Sequence, residues 1–229
     1  MVLHDFWTFF IWSTVAGLAV IGIYQLFLLI LRARGVFVTR TKFGLTMIFD
    51  SEDADGTPIR LLNVNGTFQS VSYIAPELRF ELCVHYHRMI AKIIQQVAAR
   101  GHVVIMGGGG FSLPKHLATH MSGGVIDAIE IDPKIVSLAR EHFFLDEALA
   151  AASSELRIVE DDAWKVLQDA DASSIDVLVN EVFAGRKSLG PLGTPAGAQV
   201  VKEKLADGGV YLADVRCPLE ERGSALLSQ

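Results

Sequence analysis

Residues 102–134 read HVVIMGGGGFSLPKHLATHMSGGVIDAIEIDPK, and their pattern indicates the fold class. It places a short apolar run, HVVIM, directly before four glycines, and a second apolar run, VIDAIEI, follows about one helix length later. Short apolar runs bounded by glycine turns are typical of buried parallel strands. The stretch therefore predicts a strand–turn–helix–strand unit of a doubly wound sheet.

Downstream of this stretch, apolar runs keep alternating with helical patterns. The predicted strands are LRIVE (156–160), IDVLVNEVF (175–183) and VYLADV (210–215). The predicted helices are PKIVSLAREHFF (133–144), AWKVLQDA (163–170) and a segment from about Ala196 to Leu205. Strands that alternate with helices form parallel sheets with right-handed crossovers. The sequence therefore predicts an α/β fold over residues 76–229, a Rossmann-like parallel sheet with helices on both faces.

A small antiparallel β unit is predicted upstream of the sheet, over residues 36–75. Its apolar-rich runs are Phe43 to Ile48, Ile59 to Val64 and Thr67 to Tyr73. Asn65-Gly66 separates the last two runs, and this dipeptide is the favoured chemistry of a two-residue hairpin turn. Pro76 then opens a long helix, which is predicted to run to about Arg100.

Residues 1–35 are predicted to form a membrane anchor with a basic flank. From Phe6 to Leu31 the chain carries no charge, and this length spans a hydrocarbon core of roughly 30 Å. Basic residues follow the run at Arg32, Arg34, Arg40 and Lys42. The positive-inside rule places the C-terminal side in the cytoplasm, and this order of charges is opposite to that of a cleaved signal peptide. We therefore expect a single-pass membrane protein with a cytoplasmic C-terminal domain.

Composition and charge exclude several classes of function. The formal net charge of −6 argues against a nucleic-acid-binding protein, because such proteins usually carry a basic face. The two cysteines, Cys83 and Cys217, show neither metal-ligand spacing nor a disulfide framework, which is consistent with a reducing compartment. His85 and His87 lie two residues apart on a predicted helix and do not share a face. No metal site is therefore predicted; His85 is expected to be packed and His87 to face a pocket.

Candidate binding residues follow three of the predicted strands, at the edge where ligands bind in doubly wound folds. Gly107, Gly108 and Gly109 come directly after the first strand, where missing side chains let the backbone approach a ligand near a helix N-terminus. Glu130 closes the second strand, where a carboxylate accepts hydrogen bonds from ribose hydroxyls. Asp162 follows the third strand, where it either binds the amino group of an adenine or caps the next helix.

Two classes of cofactor are compatible with a glycine turn in this position. A nicotinamide cofactor favours a third glycine at position 112, which is Ser112, and has no need of an adenine-directed acid after the third strand. The combination of Glu130 and Asp162 favours an adenosyl-sulfonium cofactor. A nicotinamide-dependent oxidoreductase stays open as an alternative.

Together these residues resemble the spermidine synthase-like family, the aminopropyltransferase relatives of class I methyltransferases. The resemblance runs from about Arg40 to Val215, and AIEIDPKIVSLAREHF (128–143) is its most specific stretch. It implies a methyltransferase-like sheet that binds S-adenosylmethionine or decarboxylated S-adenosylmethionine and transfers a methyl or aminopropyl group to a small acceptor. It also implies cofactor-binding roles for the following residues: Gln69 in NGTFQ, His87 in the pair Tyr86-His87, Glu130 at the ribose, and Asp162 with Ala163 at the adenine.

Asn180 and Glu181 end the fourth predicted strand and are the catalytic candidates. The resemblance implies a carboxylate at position 180, which would hold and deprotonate an attacking amine, and an amide cannot serve as that base. Glu181 is adjacent, but neighbouring strand residues point to opposite faces unless the strand has already ended. Methyl transfer depends mainly on positioning, so it tolerates Asn180 more easily than aminopropyl transfer does.

A non-catalytic relative, which keeps the fold as a binding or regulatory module, is the second alternative. Phe111, in place of a further glycine, and Asn180 both favour it. The chain ends soon after the fifth predicted strand, where methyltransferase-like sheets normally continue with two more, so we expect an open sheet edge. This edge predicts a homodimer or an isolated soluble domain of low stability. The other predicted partners are a small-molecule acceptor and, through residues 6–31, the membrane.

Overall fold

The computed structural model describes residues 2–182 and 190–214, with side chains from Trp7 onward. Three residues named above lie outside the described part of the chain: Phe183, Val215 and Cys217.

The chain begins with a long apolar helix, α1 (Val2–Ala33). Its segment Trp7–Ala33 contains an apolar window with a mean hydropathy of 2.3, of which no residue is buried against the rest of the protein. Among the residues that the structure describes, this is the one helix long and apolar enough to cross a bilayer.

An antiparallel sheet follows α1, with its four strands paired in chain order. The strands are β1 (Phe37–Thr41), β2 (Gly44–Glu52), β3 (Pro58–Val64) and β4 (Thr67–Tyr73). Asn65 (φ 49°) and Gly66 (φ 80°) connect β3 to β4. Positive φ at both central residues is the conformation of a type I′ turn, so the predicted hairpin is confirmed. The strand β1 was not predicted.

The second sheet is parallel and has the order β7-β6-β5-β8-β9. Its strands are β5 (His102–Met106), β6 (Val125–Ile129), β7 (Glu155–Val159), β8 (Ile175–Asn180) and β9 (Leu205–Ala213). From β5 the chain builds outward to β7 and then returns to place β8 on the other side of β5. The point where the order reverses is where doubly wound sheets bind ligands, beyond the carboxyl ends of the strands.

Helices cover both faces of the parallel sheet, as predicted. They are α2 (His85–Val97), α3 (Ser112–His120), α4 (Pro133–His142), α5 (Leu145–Ala151), α6 (Ala163–Asp169) and α7 (Pro195–Lys204). On one face, Ile94 of α2 and Leu117 of α3 pack against Val179. On the other, Leu167 of α6 packs in one cluster with Leu178. The alternating residues of β8 therefore face different helix pairs, which decides where the residues after β8 point.

The antiparallel sheet packs on α4 through a cluster of its own. Leu62 of β3 lies with Leu138 of α4 and Phe143, and all three side chains are almost completely buried. Burying side chains of this size contributes about 1.5–3 kcal/mol each. This contact holds the antiparallel sheet beside the carboxyl edge of the parallel sheet.

Helix α2 begins at His85, so the predicted start at Pro76 was wrong. The segment between these residues forms turns. The Arg88 guanidinium donates hydrogen bonds to the carbonyl oxygens of Leu82 (2.8 Å) and Cys83 (2.7 Å). Because a side chain satisfies these carbonyls, the helical ladder of backbone hydrogen bonds does not extend back into the turns.

The predicted helix over residues 133–144 ends earlier, at His142, and the short helix α5 that follows was not predicted. Phe144 interrupts the helix because it adopts a left-handed conformation, with φ 60°. The Arg79 guanidinium lies 4.3 Å from the centroid of the Phe144 ring. This contact with a residue far away in sequence is invisible to an argument from helical periodicity.

Candidate functional site

The glycine turn after β5 brings backbone segments close together. Gly107 (φ 101°) and Gly109 (φ 52°) adopt the left-handed region that favours glycine. A Cβ atom on Gly107 would lie 3.0 Å from the carbonyl oxygen of Glu181, and one on Gly108 would lie 2.5 Å from the Phe111 ring. The turn therefore requires glycine, and no side chain of its own covers its backbone at the carboxyl end of β5.

Phe111 replaces a further glycine but keeps a glycine-like conformation. It has φ 56° and stands at the N-cap of α3, with its ring completely buried. The left-handed conformation costs a non-glycine residue roughly 1–2 kcal/mol. Burial of the ring contributes about 1.5–3 kcal/mol, which offsets that cost. The substitution is thus compatible with the turn and gives no reason to expect that the binding function has been lost.

Glu130 follows β6 and lies against the glycine turn. Its Oε2 atom accepts hydrogen bonds from the amides of Gly108 (3.1 Å) and Gly109 (3.2 Å), and its Oε1 atom accepts one from the Asp132 amide (3.0 Å). The residue is only 8% exposed. An ionised carboxylate offers about four acceptor sites, so one stays open for a ligand beside the turn.

Gln69 of β4 also lies beside the turn. Its carbonyl oxygen would be 3.4 Å from a Cβ atom on Gly109, and its side chain is exposed. The antiparallel sheet therefore contributes one wall next to the glycines, as the resemblance implies. Contact of the Gln69 side chain with a cofactor stays a prediction.

Asp162 lies just after β7, where the sequence left two roles open. Its Oδ1 atom accepts hydrogen bonds from the amides of Trp164 (2.8 Å) and Lys165 (3.3 Å), so it caps α6. The cap uses Oδ1 alone. Binding of an adenine amino group by Asp162 stays a prediction. Ala163, the first residue of α6, is partly buried.

Two side chains that the sequence treated separately form a buried pair. Nε2 of His87, on α2, lies 2.6 Å from Oε1 of Glu181, and the side chains are 9% and 13% exposed. β8 ends at Asn180, so Glu181 lies beyond the strand, where its amide donates to the carbonyl of Met106. Nδ1 of His87 is buried and has no hydrogen-bond partner among the described residues. Such an orphaned atom is expected where a ligand completes the hydrogen bonding.

Asn180 points away from the side of the sheet on which His87 and Glu181 lie. Its side-chain amide donates to the Tyr211 hydroxyl (3.2 Å) and its Oδ1 atom accepts from the Val182 amide (3.1 Å). The residue is 1% exposed. Val179 packs against α2 and α3, so strand alternation puts Asn180 on the opposite face. Glu181, in contrast, lies beyond the strand and contacts His87 of α2. The carboxylate on the α2 side of the sheet therefore belongs to Glu181.

The histidine triplet at the start of α2 differs in part from the prediction. His85 is exposed, so the expectation that it is packed was wrong, whereas His87 is buried as a pocket-facing residue would be. The Tyr86 and His87 rings lie 4.3 Å apart. His85 fails to pack because it stands at the first turn of α2, on the far side of the helix from His87.

A buried polar cluster that sequence analysis missed joins β4 to α3 behind the glycine turn. The Ser112 hydroxyl lies 3.1 Å from the hydroxyls of both Ser70 and Ser72. Nζ of Lys115 donates to the Ser72 hydroxyl (3.2 Å) and to the carbonyl of Phe143. Lys115 is 1% exposed. These bonds tie the antiparallel sheet to the helix that begins at the glycine turn.

The buried Lys115 amine predicts a specific dependence of stability on pH. Burial lowers the pKa of Lys115 to about 7, whereas a lysine in the unfolded chain keeps a pKa of about 10.4. Below the pKa that Lys115 has in the folded chain, its amine is protonated in both the folded and the unfolded state. Folding then carries the full energetic cost of burying the charge. Between the two pKa values only the unfolded state binds the proton, so the free energy of unfolding increases as the pH rises.

We expect the substitution Lys115→Met to remove this slope. The unfolding temperature of the wild-type chain should rise relative to that of Lys115→Met as the pH is raised from about 7 to about 9. Thermal unfolding of both full chains in the same detergent measures the difference. A difference that stays constant over this range would contradict the prediction.

Comparisons with known proteins identify the family and the fold. The spermine/spermidine synthase domain model matches residues 83–227, which is more than half of the chain. No curated protein matches the sequence.

Several solved structures share the fold. A probable spermidine synthase from Corynebacterium glutamicum matches with a TM-score of 0.61 and 24% identity, covering 76% of this chain and 62% of that chain. The spermidine synthase from Thermotoga maritima matches with a TM-score of 0.55 and 18% identity, covering 77% and 55%. Human methyltransferase-like protein 13, in complex with SAH, matches with a TM-score of 0.52 and 22% identity, covering 64% and 71%. The chain thus spans less than two thirds of the length of both synthases.

Proposed function

Because this chain belongs to the spermine/spermidine synthase family, we propose that it is a transferase that moves an aminopropyl or a methyl group to a small-molecule acceptor. The proposed cofactor is S-adenosylmethionine or its decarboxylated form. The observation that carries the proposal is the buried pair of His87 and Glu181, which adjoins the glycine turn.

The residues at the carboxyl edge of the parallel sheet fit an adenosyl cofactor. The glycine turn has no room for side chains, Glu130 keeps an acceptor site open beside it, and His87 has an orphaned Nδ1 atom. Two structural neighbours were solved with related ligands, a spermidine synthase with the transition state analogue AdoDATO and the human methyltransferase-like protein with SAH. When bound, such a sulfonium cofactor supplies an electrophilic carbon, and the two carboxylates of the site match its positive charge.

Glu181 is the proposed base. An amine acceptor has a lysine-like pKa of about 10.4, so it is protonated at neutral pH and must lose a proton before it can attack. The Glu181 carboxylate accepts that proton from the acceptor nitrogen. Nε2 of His87 donates a hydrogen bond to Oε1 of Glu181, which lies 2.6 Å away, and so holds the carboxylate in place. His87 is therefore a positioning residue in this mechanism.

We also propose that α1 anchors the enzyme in a membrane and that the C-terminal domain faces the cytoplasm. The support is the uncharged length of residues 6–31 and the basic residues that follow them. Protease treatment of right-side-out and inverted vesicles tests this topology. A C-terminal epitope should be cleaved in inverted vesicles alone, and cleavage in right-side-out vesicles would reverse the orientation.

A homodimer is the proposed state of assembly. β9 is the last strand in the order of the parallel sheet, and no strand lies along its outer edge among the described residues. An unpaired edge offers backbone hydrogen-bonding groups to another chain. Light scattering of the full chain in detergent, corrected for the micelle, should give the mass of two chains. A monodisperse single chain would contradict this proposal.

Product analysis tests the transferase proposal directly. The full chain in detergent is incubated with each cofactor and a panel of small amines and other nucleophiles. Release of 5′-methylthioadenosine identifies aminopropyl transfer, and release of S-adenosylhomocysteine identifies methyl transfer. If the chain binds a cofactor but yields neither product with any acceptor, the non-catalytic alternative replaces this proposal.

A further inference from the structure

A cavity of about 520 Å³ lies away from the glycine turn, between α2, α3 and the turn that joins β2 to β3. Three of its lining residues could each offer a metal ligand: Glu81, His116 and His120. One ligating atom from each lies within 4.8 Å of those of the other two. None of these residues takes part in the cofactor site described above.

The two histidines are on one face of α3, four residues apart. Their rings stack with centroids 4.1 Å apart, and their side chains are 12% and 35% exposed. Residues at this spacing are neighbours on the helix surface, so both rings border the same side of the cavity. Glu81 comes from the segment of turns before α2, and its Oε1 atom lies 3.0 Å from Nε2 of His120.

Backbone carbonyls fix which ring nitrogens carry protons. Nδ1 of His116 lies 2.9 Å from the carbonyl oxygen of Phe80, and Nδ1 of His120 lies 2.9 Å from the carbonyl oxygen of His116. A carbonyl can only accept, so both Nδ1 atoms must donate. In the neutral rings, both Nε2 atoms therefore carry lone pairs. Carbonyl contacts of this kind are what orient histidines that ligate metals.

The contact between His120 and Glu81 then needs a cation. A neutral His120 would place the lone pair of Nε2 3.0 Å from a carboxylate oxygen, which also has only lone pairs to offer. Either an additional proton or a metal ion must sit at this contact. Two ligand atoms about 2.0–2.2 Å from a tetrahedral zinc ion are roughly 3.3–3.6 Å apart, so this contact of 3.0 Å would lengthen by a few tenths of an ångström on binding the ion.

We propose that Glu81, His116 and His120 bind a divalent transition-metal ion of the zinc type. Two imidazole nitrogens and one carboxylate are a ligand set that zinc favours, and the cavity leaves a fourth position for water. The ion links the segment before α2 to α3, and so restricts the movement of α2, the helix that carries His87.

Metal titration of the tag-free full chain in detergent, after treatment with a chelator, tests the proposal. Co²⁺ is added first, because its visible spectrum reports histidine and carboxylate ligation, and Zn²⁺ is then added in competition with a chromophoric chelator. The variants are Glu81→Gln and His120→Gln. His85→Gln is the matched control, since it removes an exposed histidine outside the cluster.

We expect one metal ion per chain, and at least about tenfold weaker binding in each cluster variant. The control should bind as the wild type does. Binding that is equally tight in the wild type and both variants, or no binding by the wild type, would overturn the proposal and leave a protonated His120 as the cation at this contact. Circular dichroism of each variant separates lost ligation from lost folding.

Discussion

Glu181→Gln is expected to lower the rate of transfer to an amine by about 10²–10⁴-fold, the usual contribution of a general base. Glutamine keeps the size of the side chain and one carbonyl oxygen near His87, but it cannot accept a proton. The turnover number of the full chain, measured at saturating cofactor and acceptor, reports the effect. Glu141→Gln, which removes an exposed carboxylate on α4, is the matched control and should keep the wild-type rate.

The same experiment separates the two residues that the sequence proposed for catalysis. Adding Asn180→Asp to Glu181→Gln is not expected to restore the rate, because position 180 faces Tyr211 on the other side of the sheet. Restored activity would mean that the base belongs at position 180. A Glu181→Gln chain that retains its rate within about threefold would remove Glu181 from the mechanism altogether.

Glu130→Ala is expected to weaken cofactor binding by about 10²-fold or more. Hydrogen bonds to a charged group contribute about 1.5–3 kcal/mol each, and the proposed role is to accept one of them from a ribose hydroxyl at the acceptor site that stays open. The alanine variant also loses the bonds that hold the amides of Gly108 and Gly109. Isothermal titration of the full chain with the cofactor measures the loss.

Two further variants identify the origin of that loss. Glu130→Gln keeps an acceptor for the amides of the turn and should fall between alanine and the wild type. Glu160→Gln removes an exposed carboxylate near the end of β7 and controls for charge alone. Affinity that falls equally in Glu130→Ala and Glu160→Gln would show a general electrostatic effect, and the proposed ribose contact would be wrong.

Local sequence patterns predicted most of the fold because they depend on local physics. Strand and helix alternation and the Asn65-Gly66 turn require only neighbouring residues, and both were confirmed. The start of α2 and the interruption of α4 could not be predicted in this way. The interruption of α4 lies at Phe144, whose ring contacts Arg79, a residue far away in sequence. The start of α2 depends on Arg88, whose hydrogen bonds to the carbonyls of Leu82 and Cys83 form only once the turns before α2 have folded.

The candidate site was predictable at the level of strand ends. The glycines follow β5 and Glu130 follows β6, and these neighbouring strand ends predicted that the two would lie together, as they do. The sequence did not predict that the carboxylate beside His87 belongs to Glu181 and not to position 180, because this depends on the residue at which β8 ends. The buried Lys115 cluster gave no signal, since serines and a lysine at those positions look like ordinary surface residues.

Binding of an adenosyl-sulfonium cofactor at the carboxyl edge of the parallel sheet is the claim on which the other functional proposals rest. Isothermal titration of the full chain in detergent with S-adenosylmethionine, decarboxylated S-adenosylmethionine and NAD tests it most directly. The claim predicts that at least one sulfonium cofactor binds, that Glu130→Ala loses this binding, and that NAD does not bind. Binding of NAD alone would restore the oxidoreductase alternative, and a folded chain that binds none of the three would contradict the claim.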